Sequence, residues 1–235
     1  MKNKSLLIAA VMVIFAAPAL ADFPYTGSIS GNYVGVEGKV VNIGYTPGWT
    51  GTKGVYAGTY RFQRTGFTGD GNLIPLVAGK YDTYCVDVLE EVTSGSWDLT
   101  DVASVPNHEY GGMGDAKALL VKEHWFEHAD LATTAAKKAA FQAVLWELVF
   151  EDDATHGWSL GSGQFTASGG YDSVAATWLN NVVDVGASGY AQLAGLVEQE
   201  PGDYQDFVAP IPAPGAVLLG ALGLGLVARV RRRFS

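Results

Sequence analysis

The chain has 235 residues, 48 % of them hydrophobic and 17 % charged, with one cysteine and a formal charge of −9. All 24 acidic residues lie between Asp22 and Asp206; residues 22–208 therefore set nine basic residues against 24 acidic ones, a charge of −15 that repels phosphate backbones and excludes nucleic acid as a natural partner. These 187 residues suffice for one compact domain and are too few for two ordinary ones.

At the amino end, Lys2 and Lys4 precede an apolar run from Leu6 to Ala17 and then Pro18-Ala19-Leu20-Ala21. A short positive region, an apolar stretch too short to span a bilayer and an Ala-x-Ala site predict a secretory signal peptide over 1–21. From Thr26 to Leu76 glycine is frequent and short alternating runs appear. In Tyr56-Ala57-Gly58-Thr59-Tyr60-Arg61-Phe62 the three rings fall on one face, which predicts antiparallel strands. A further strand is expected over Tyr81–Leu89, with Tyr84, Val86 and Val88 on one side and Thr83, Cys85 and Asp87 on the other. The single thiol would then share its face with polar neighbours, a placement that favours a functional cysteine over a structural one.

From Asp115 the pattern becomes helical. Asp115 is expected to cap a helix running to His128, and Thr133 or Thr134 a second one ending near Phe150. In the second helix Phe141, Val144, Leu145 and Leu148 form a buried stripe, with Gln142 one step round from it. Trp146 lies one turn beyond Gln142, and side chains that lean toward the helix amino terminus would fold its indole back over the glutamine. His124-Trp125-Phe126-Glu127-His128 matches the H-x-x-E-H string of inverted zinc peptidases, with Glu147 and Glu151 the available third ligands. The simpler expectation is a partly solvated helix face whose histidines pair with Glu123, Glu127 or Asp130. The acidic run Glu151-Asp152-Asp153, with Asp172 and Asp184, lacks an Asp-x-Asp-x-Asp-Gly calcium loop and reads as solvated. No metal or cofactor is therefore expected.

Phe207 to Ala228 contains no charged residue and is followed by Arg229, Arg231, Arg232 and Arg233. Its apolar centre, Gly215–Ala228, spans roughly 21 Å as a helix, and the arginines would hold its carboxyl end in the cytoplasm. The expected architecture is thus α+β: an antiparallel β-rich half, sandwich or barrel-like, then a helical half, then a C-terminal membrane helix. The expected divisions are 1–21, 22–208 and 209–235.

Two segments carry a family resemblance. Thr83-Tyr84-Cys85-Val86-Asp87 and Phe141-Gln142-Ala143-Val144-Leu145-Trp146 together resemble the thioester domains of bacterial surface adhesins, with Phe141 and Val144 standing where that family has Thr and Ala. The resemblance implies a bond between the Cys85 sulfur and the Gln142 side chain, formed with loss of ammonia and open to attack by an amine on a surface or matrix molecule. In that scheme Trp146 and Tyr84 shield the bond, and Asp87 and His124 are candidate proton donors. The protein would be a single-turnover adhesin and no enzyme. Pro212-Ala213-Pro214, the Gly/Leu/Ala-rich stretch and the terminal arginines resemble PEP-CTERM tails, with Ala213 where the family has Glu. This implies an exosortase-type sorting protease as partner and a chain anchored at the cell envelope or released outside. The same segments also fit a non-covalent extracellular matrix protein of this fold without the bond, with a zinc hydrolase third.

Overall fold

A computed structural model describes residues 25–212 apart from 47, 49, 107–110, 152–156, 186–188 and 200–203, and only the backbone at 184–185. The expected signal peptide, the Gly215–Ala228 span, the arginine cluster and the Pro212-Ala213-Pro214 motif beyond Pro212 lie outside the described residues. Among those described, no helix is long and apolar enough to cross a membrane.

Four strands come first: β1 (Gly27–Tyr45), β2 (Lys53–Gly69), β3 (Lys80–Cys85) and β4 (Gly95–Thr100). Two helices follow, α1 (Gly114–His128) and α2 (Ala135–Phe150), then β5 (Phe165–Ser168), α3 (Val174–Asn180), β6 (Leu193–Glu198) and β7 (Phe207–Pro210). The strand order β2-β3-β7-β6-β4-β1, closed by antiparallel pairing of β1 with β2, makes a six-stranded barrel, and β5 extends it from the far end of β1. The helical half of the sequence reading is therefore a helical insertion. Three strands return after it, and two of them complete the barrel. The first residues of the apolar run toward the carboxyl end are one of these strands.

Alternation decides what fills the barrel. Phe62, Tyr81, Trp97 and Phe207 are fully buried and meet edge-on or stacked at 5.0–5.7 Å between ring centroids. Tyr60 joins them through Phe207 at 5.6 Å. Each ring contributes about 2 kcal/mol or more by leaving water, so this lining dominates the packing energy of the β layer. Tyr56 has the parity of Tyr60 and Phe62 yet is 60 % exposed, because the β1–β2 hairpin runs beyond the barrel there. Gly38 and Gly58 face each other in this hairpin, and a Cβ on either would collide with the opposite backbone. No side chain could be accommodated at that crossing.

Helix α2 departs from the expected single buried stripe, since every residue from Ala139 to Phe150 is buried. The strands β1 and β2 lie on one side of it and α1, α3 and β5 on others, and a helix apolar on nearly all sides is stable only when enclosed in this way. Thr134, one of the two residues expected to cap it, does so by accepting from the Lys137 N–H at 3.3 Å. Thr134→Ala is expected to cost about 1 kcal/mol and to lower the melting temperature by a few degrees, measured by calorimetry. Asp115 caps nothing in α1: the residue before the helix is Met113, and Asp115 sits inside the first turn, where its charge suits the helix dipole.

Candidate functional site

Strand β3 ends at Cys85, and the site is built on that end. Tyr84 pairs with Val208 and Cys85 with Phe207 on β7, and the Val86 N–H donates to the Asp206 carbonyl at 3.0 Å. In an antiparallel ladder this directs the N–H and C=O of Cys85 to the opposite side, toward β2. The β2–β3 ladder, however, stops at Tyr60–Thr83. The vacant rung is filled by a side chain from α2: the Cys85 N–H donates to Gln142 Oε1 at 3.1 Å, and Gln142 Nε2 donates to the Cys85 carbonyl at 2.7 Å. The carboxamide thus behaves as one peptide of a missing strand. Cys85 and Gln142 are both 0 % exposed and Trp146 is 1 % exposed.

The sulfur is held locally. Its S–H donates to the Asp87 carbonyl, and the Asp87 N–H points back at the sulfur at 3.3 Å. Burial pushes the thiol well above its ordinary value and the nearby Asp87 charge adds to this; hydrogen bonding from the Asp87 backbone opposes the shift without reversing it. Cys85 at rest is a thiol. The expectation that it shares a polar strand face is corrected: Tyr81 and Thr83 belong to that face, which lines the aromatic barrel. Thr83 is accommodated there by a hydrogen bond to the Tyr60 carbonyl at 3.4 Å.

The other residues singled out from sequence divide into near and remote. Asp87, 1 % exposed, adjoins the sulfur through its own peptide, while its Oδ1 accepts from the Leu89 N–H at 2.7 Å. Tyr84 faces away from Cys85, into the seam between α1 and α2, where its ring meets Phe141 at 4.4 Å and Trp125 at 5.4 Å. Its hydroxyl accepts from Thr59 at 3.0 Å. It packs against Phe141, the residue before Gln142.

His124 is tied to the same neighbour: Nε2 bonds the Phe141 carbonyl at 3.1 Å and the ring stacks on Phe141 at 4.2 Å. Its Nδ1 lies 3.2 Å from His128 Nδ1. Both histidines are buried with their Nδ1 atoms side by side, which corrects the solvated face expected for them, while the Glu127 charge still acts on His128. Burial, with His128 adding, lowers His124 to about 3, so it is neutral at ordinary pH and its Nε2–H is donated to the Phe141 carbonyl. Glu147 and Glu151 turn away from the histidines: Glu147 accepts from the Ser159 N–H at 2.6 Å, and Glu151 from the N–H groups of Gln164 and Phe165 at 3.1 and 3.0 Å. No group of three metal-binding side chains converges among the described residues. Asp172 accepts from the Val174 N–H at 3.1 Å; Asp152, Asp153 and the Asp184 side chain lie outside the described residues.

Sequence reasoning missed the wall that the two residues before β7 supply. Gln205 Nε2 donates to the Asp87 carbonyl at 3.2 Å, and the Gln205 carbonyl accepts from Trp97 Nε1 at 3.0 Å. Buried Asp206 accepts from the Glu198 N–H at 3.0 Å. The available signal was two polar residues directly before an apolar run, which reads equally well as a domain boundary. Compared with known protein families, curated proteins and solved structures, the chain matches none.

Proposed function

We propose that the chain is an exported surface or matrix protein that captures a partner amine covalently through a thioester between Cys85 and Gln142. The observation that carries this reading is the two-point docking of the Gln142 carboxamide on the Cys85 peptide in a site closed to water. The residues lie 57 positions apart in sequence, and nothing in the barrel alone requires a glutamine there.

The geometry suits the chemistry. The Cys85 N–H polarises the Gln142 carbonyl, as a backbone donor in an oxyanion hole does, and its own sulfur is the nearby nucleophile. Attack of the sulfur on Gln142 Cδ forms the C–S bond and breaks the C–N bond. The thiol proton leaves with the amide nitrogen as ammonia. Amine attack later forms an amide and returns the proton and electron pair to the sulfur as a thiol. Burial protects the bond between these events, since hydrolysis needs water at the carbonyl. The expected signal peptide and the PEP-CTERM-like tail support capture outside the cell, with the chain held at the envelope or released from it.

The same two hydrogen bonds would also tie α2 to β3 in a matrix protein that never forms the bond. Intact mass separates the two readings. The purified domain should weigh about 17 Da less than its sequence mass and gain about 31 Da with methylamine, exposing one thiol, and Cys85→Ala should show neither change. Full sequence mass, a free thiol and no response to methylamine would leave the non-covalent matrix protein.

A further inference from the structure

Condensation changes the Cys85 peptide as well as its sulfur. In the resting chain Gln142 Oε1 and Nε2 dock side by side on the N–H and C=O of Cys85, at 3.1 and 2.7 Å. Both residues are fully buried, Cys85 turns these two groups away from β7, and the β2–β3 ladder has already ended at Thr83. Forming the thioester keeps Oε1 on the Cys85 N–H but removes Nε2 as ammonia. The Cys85 carbonyl then loses the donor that Gln142 gave it, inside a site closed to water. A buried carbonyl in that condition favours any N–H that can reach it. The vacated position lies within hydrogen-bond reach of this carbonyl and one covalent bond from Gln142 Cδ.

Resting on the thioester reading above, we infer that the Cys85 carbonyl is the acceptor that receives the attacking nitrogen, admitting ammonia and primary amines and rejecting secondary ones. Ammonia attacking the thioester retraces the path by which Nε2 left. Its nitrogen therefore arrives at the position Nε2 holds at rest, 2.7 Å from the carbonyl oxygen. A primary amine enters the same way. Its nitrogen bonds to Cδ, the C–S bond breaks with its electron pair going to the sulfur, and the proton lost from nitrogen ends on the sulfur as a thiol.

The same geometry counts substituents. A carboxamide that pairs with the N–H and C=O of one residue donates the hydrogen on the oxygen side of its C–N bond, and the second hydrogen points away. A primary amine can place its one substituent outward and keep an N–H on the Cys85 carbonyl. A secondary amine yields an amide with no N–H, so a carbon must face the Cys85 oxygen where 2.7 Å fits a hydrogen bond and not a methyl group. A lysine ε-amine meets this requirement, and an amino-terminal proline does not. The amide formed carries its substituent on the Cγ side, and it reaches its preferred arrangement only by turning out of the rung.

Ethylamine and dimethylamine are isomers of closely similar basicity that differ in their number of N–H groups, and they probe the wild-type site without any substitution. The probe protein is the purified mature chain carrying its mass deficit of about 17 Da. Second-order rate constants are followed by intact mass, and the ethylamine-to-dimethylamine ratio is compared with that of a small N-acetylcysteamine thioester. The protein's ratio is expected to be about 10- to 100-fold larger. Ammonia should restore the sequence mass. A ratio equal to that of the small thioester would overturn the acceptor assignment and leave the thioester reading standing. Failure of ethylamine together with dimethylamine would also overturn it, because size and not N–H count would then be selecting. Full sequence mass in the untreated wild type would remove the thioester reading and the amine acceptor with it.

Discussion

Gln142→Ala is expected to abolish amine capture and, independently, to destabilise the fold by about 3–4 kcal/mol, because it strands the buried N–H and C=O of Cys85 together. That is a large share of the stability of an ordinary domain. Cys85→Ala should abolish capture as fully while leaving both hydrogen bonds in place, at a cost of about 1–2 kcal/mol for a small buried side chain. Denaturant unfolding of both variants checks the contrast. Gln142→Glu sharpens it, since a protonated carboxyl can accept from the N–H and donate to the carbonyl as the amide does, whereas a carboxylate cannot donate. Its stability should approach wild type on acidification. A Gln142→Ala protein as stable as Cys85→Ala would show that the carboxamide is not completing the ladder.

The second large effect is a stability profile with opposite slopes. Glu147 is fully buried, and burial, relieved only in part by the Ser159 N–H, raises it from 4.5 to about 8. The folded chain thus holds a proton that the unfolded chain releases, and stability falls as pH rises from about 4.5 to about 8. His124 acts in reverse. Lowered from 6.5 to about 3, it is neutral in the folded chain where the unfolded chain is charged, and stability falls as pH drops from 6.5 toward 3. The two slopes oppose each other between about 4.5 and 6.5, leaving a plateau there with a decline on each side. From pH 6.5 to 8 the loss due to Glu147 amounts to about 2 kcal/mol. Glu147→Gln keeps an acceptor for Ser159 and should remove the alkaline decline while leaving the acid limb unchanged, as read by urea midpoints across pH. A Glu147→Gln profile parallel to wild type would refute the assignment.

Why some of this was legible and some was not follows from particular residues. Thr134 and the α2 periodicity are local signals, and local chemistry fixed that helix near its observed bounds. The Cys85–Gln142 pair could be proposed because the two segments around it resemble thioester domains; the lone thiol and the Gln-x-x-x-Trp spacing by themselves are weak signals. What failed was nonlocal. Phe207–Pro210 forms a strand only because β3 and β6 stand on either side of it, and its four apolar residues look the same as the start of a tail. The faces of β3 were misjudged because alternation predicts burial only for a sheet with one wet side, whereas this strand has the barrel on one face and α1 and α2 on the other. The histidines illustrate the same limit, since His124 and His128 satisfy each other, an arrangement no spacing rule separates from a metal pair.

The position of β7 has a mechanical consequence. It is the last strand of the barrel, it lies between β3 and β6, and its residue Phe207 stands directly opposite Cys85. A pull along β7 from its carboxyl end loads both flanking ladders in shear, so their hydrogen bonds must fail together and not one after another as in unzipping. If a captured partner hangs from Gln142, tension passes from α2 through the Cys85 peptide to β3 and across one ladder to β7. The force-bearing route then crosses a single strand pair and bypasses the long β1–β2 hairpin, the rest of the barrel and both outer helices.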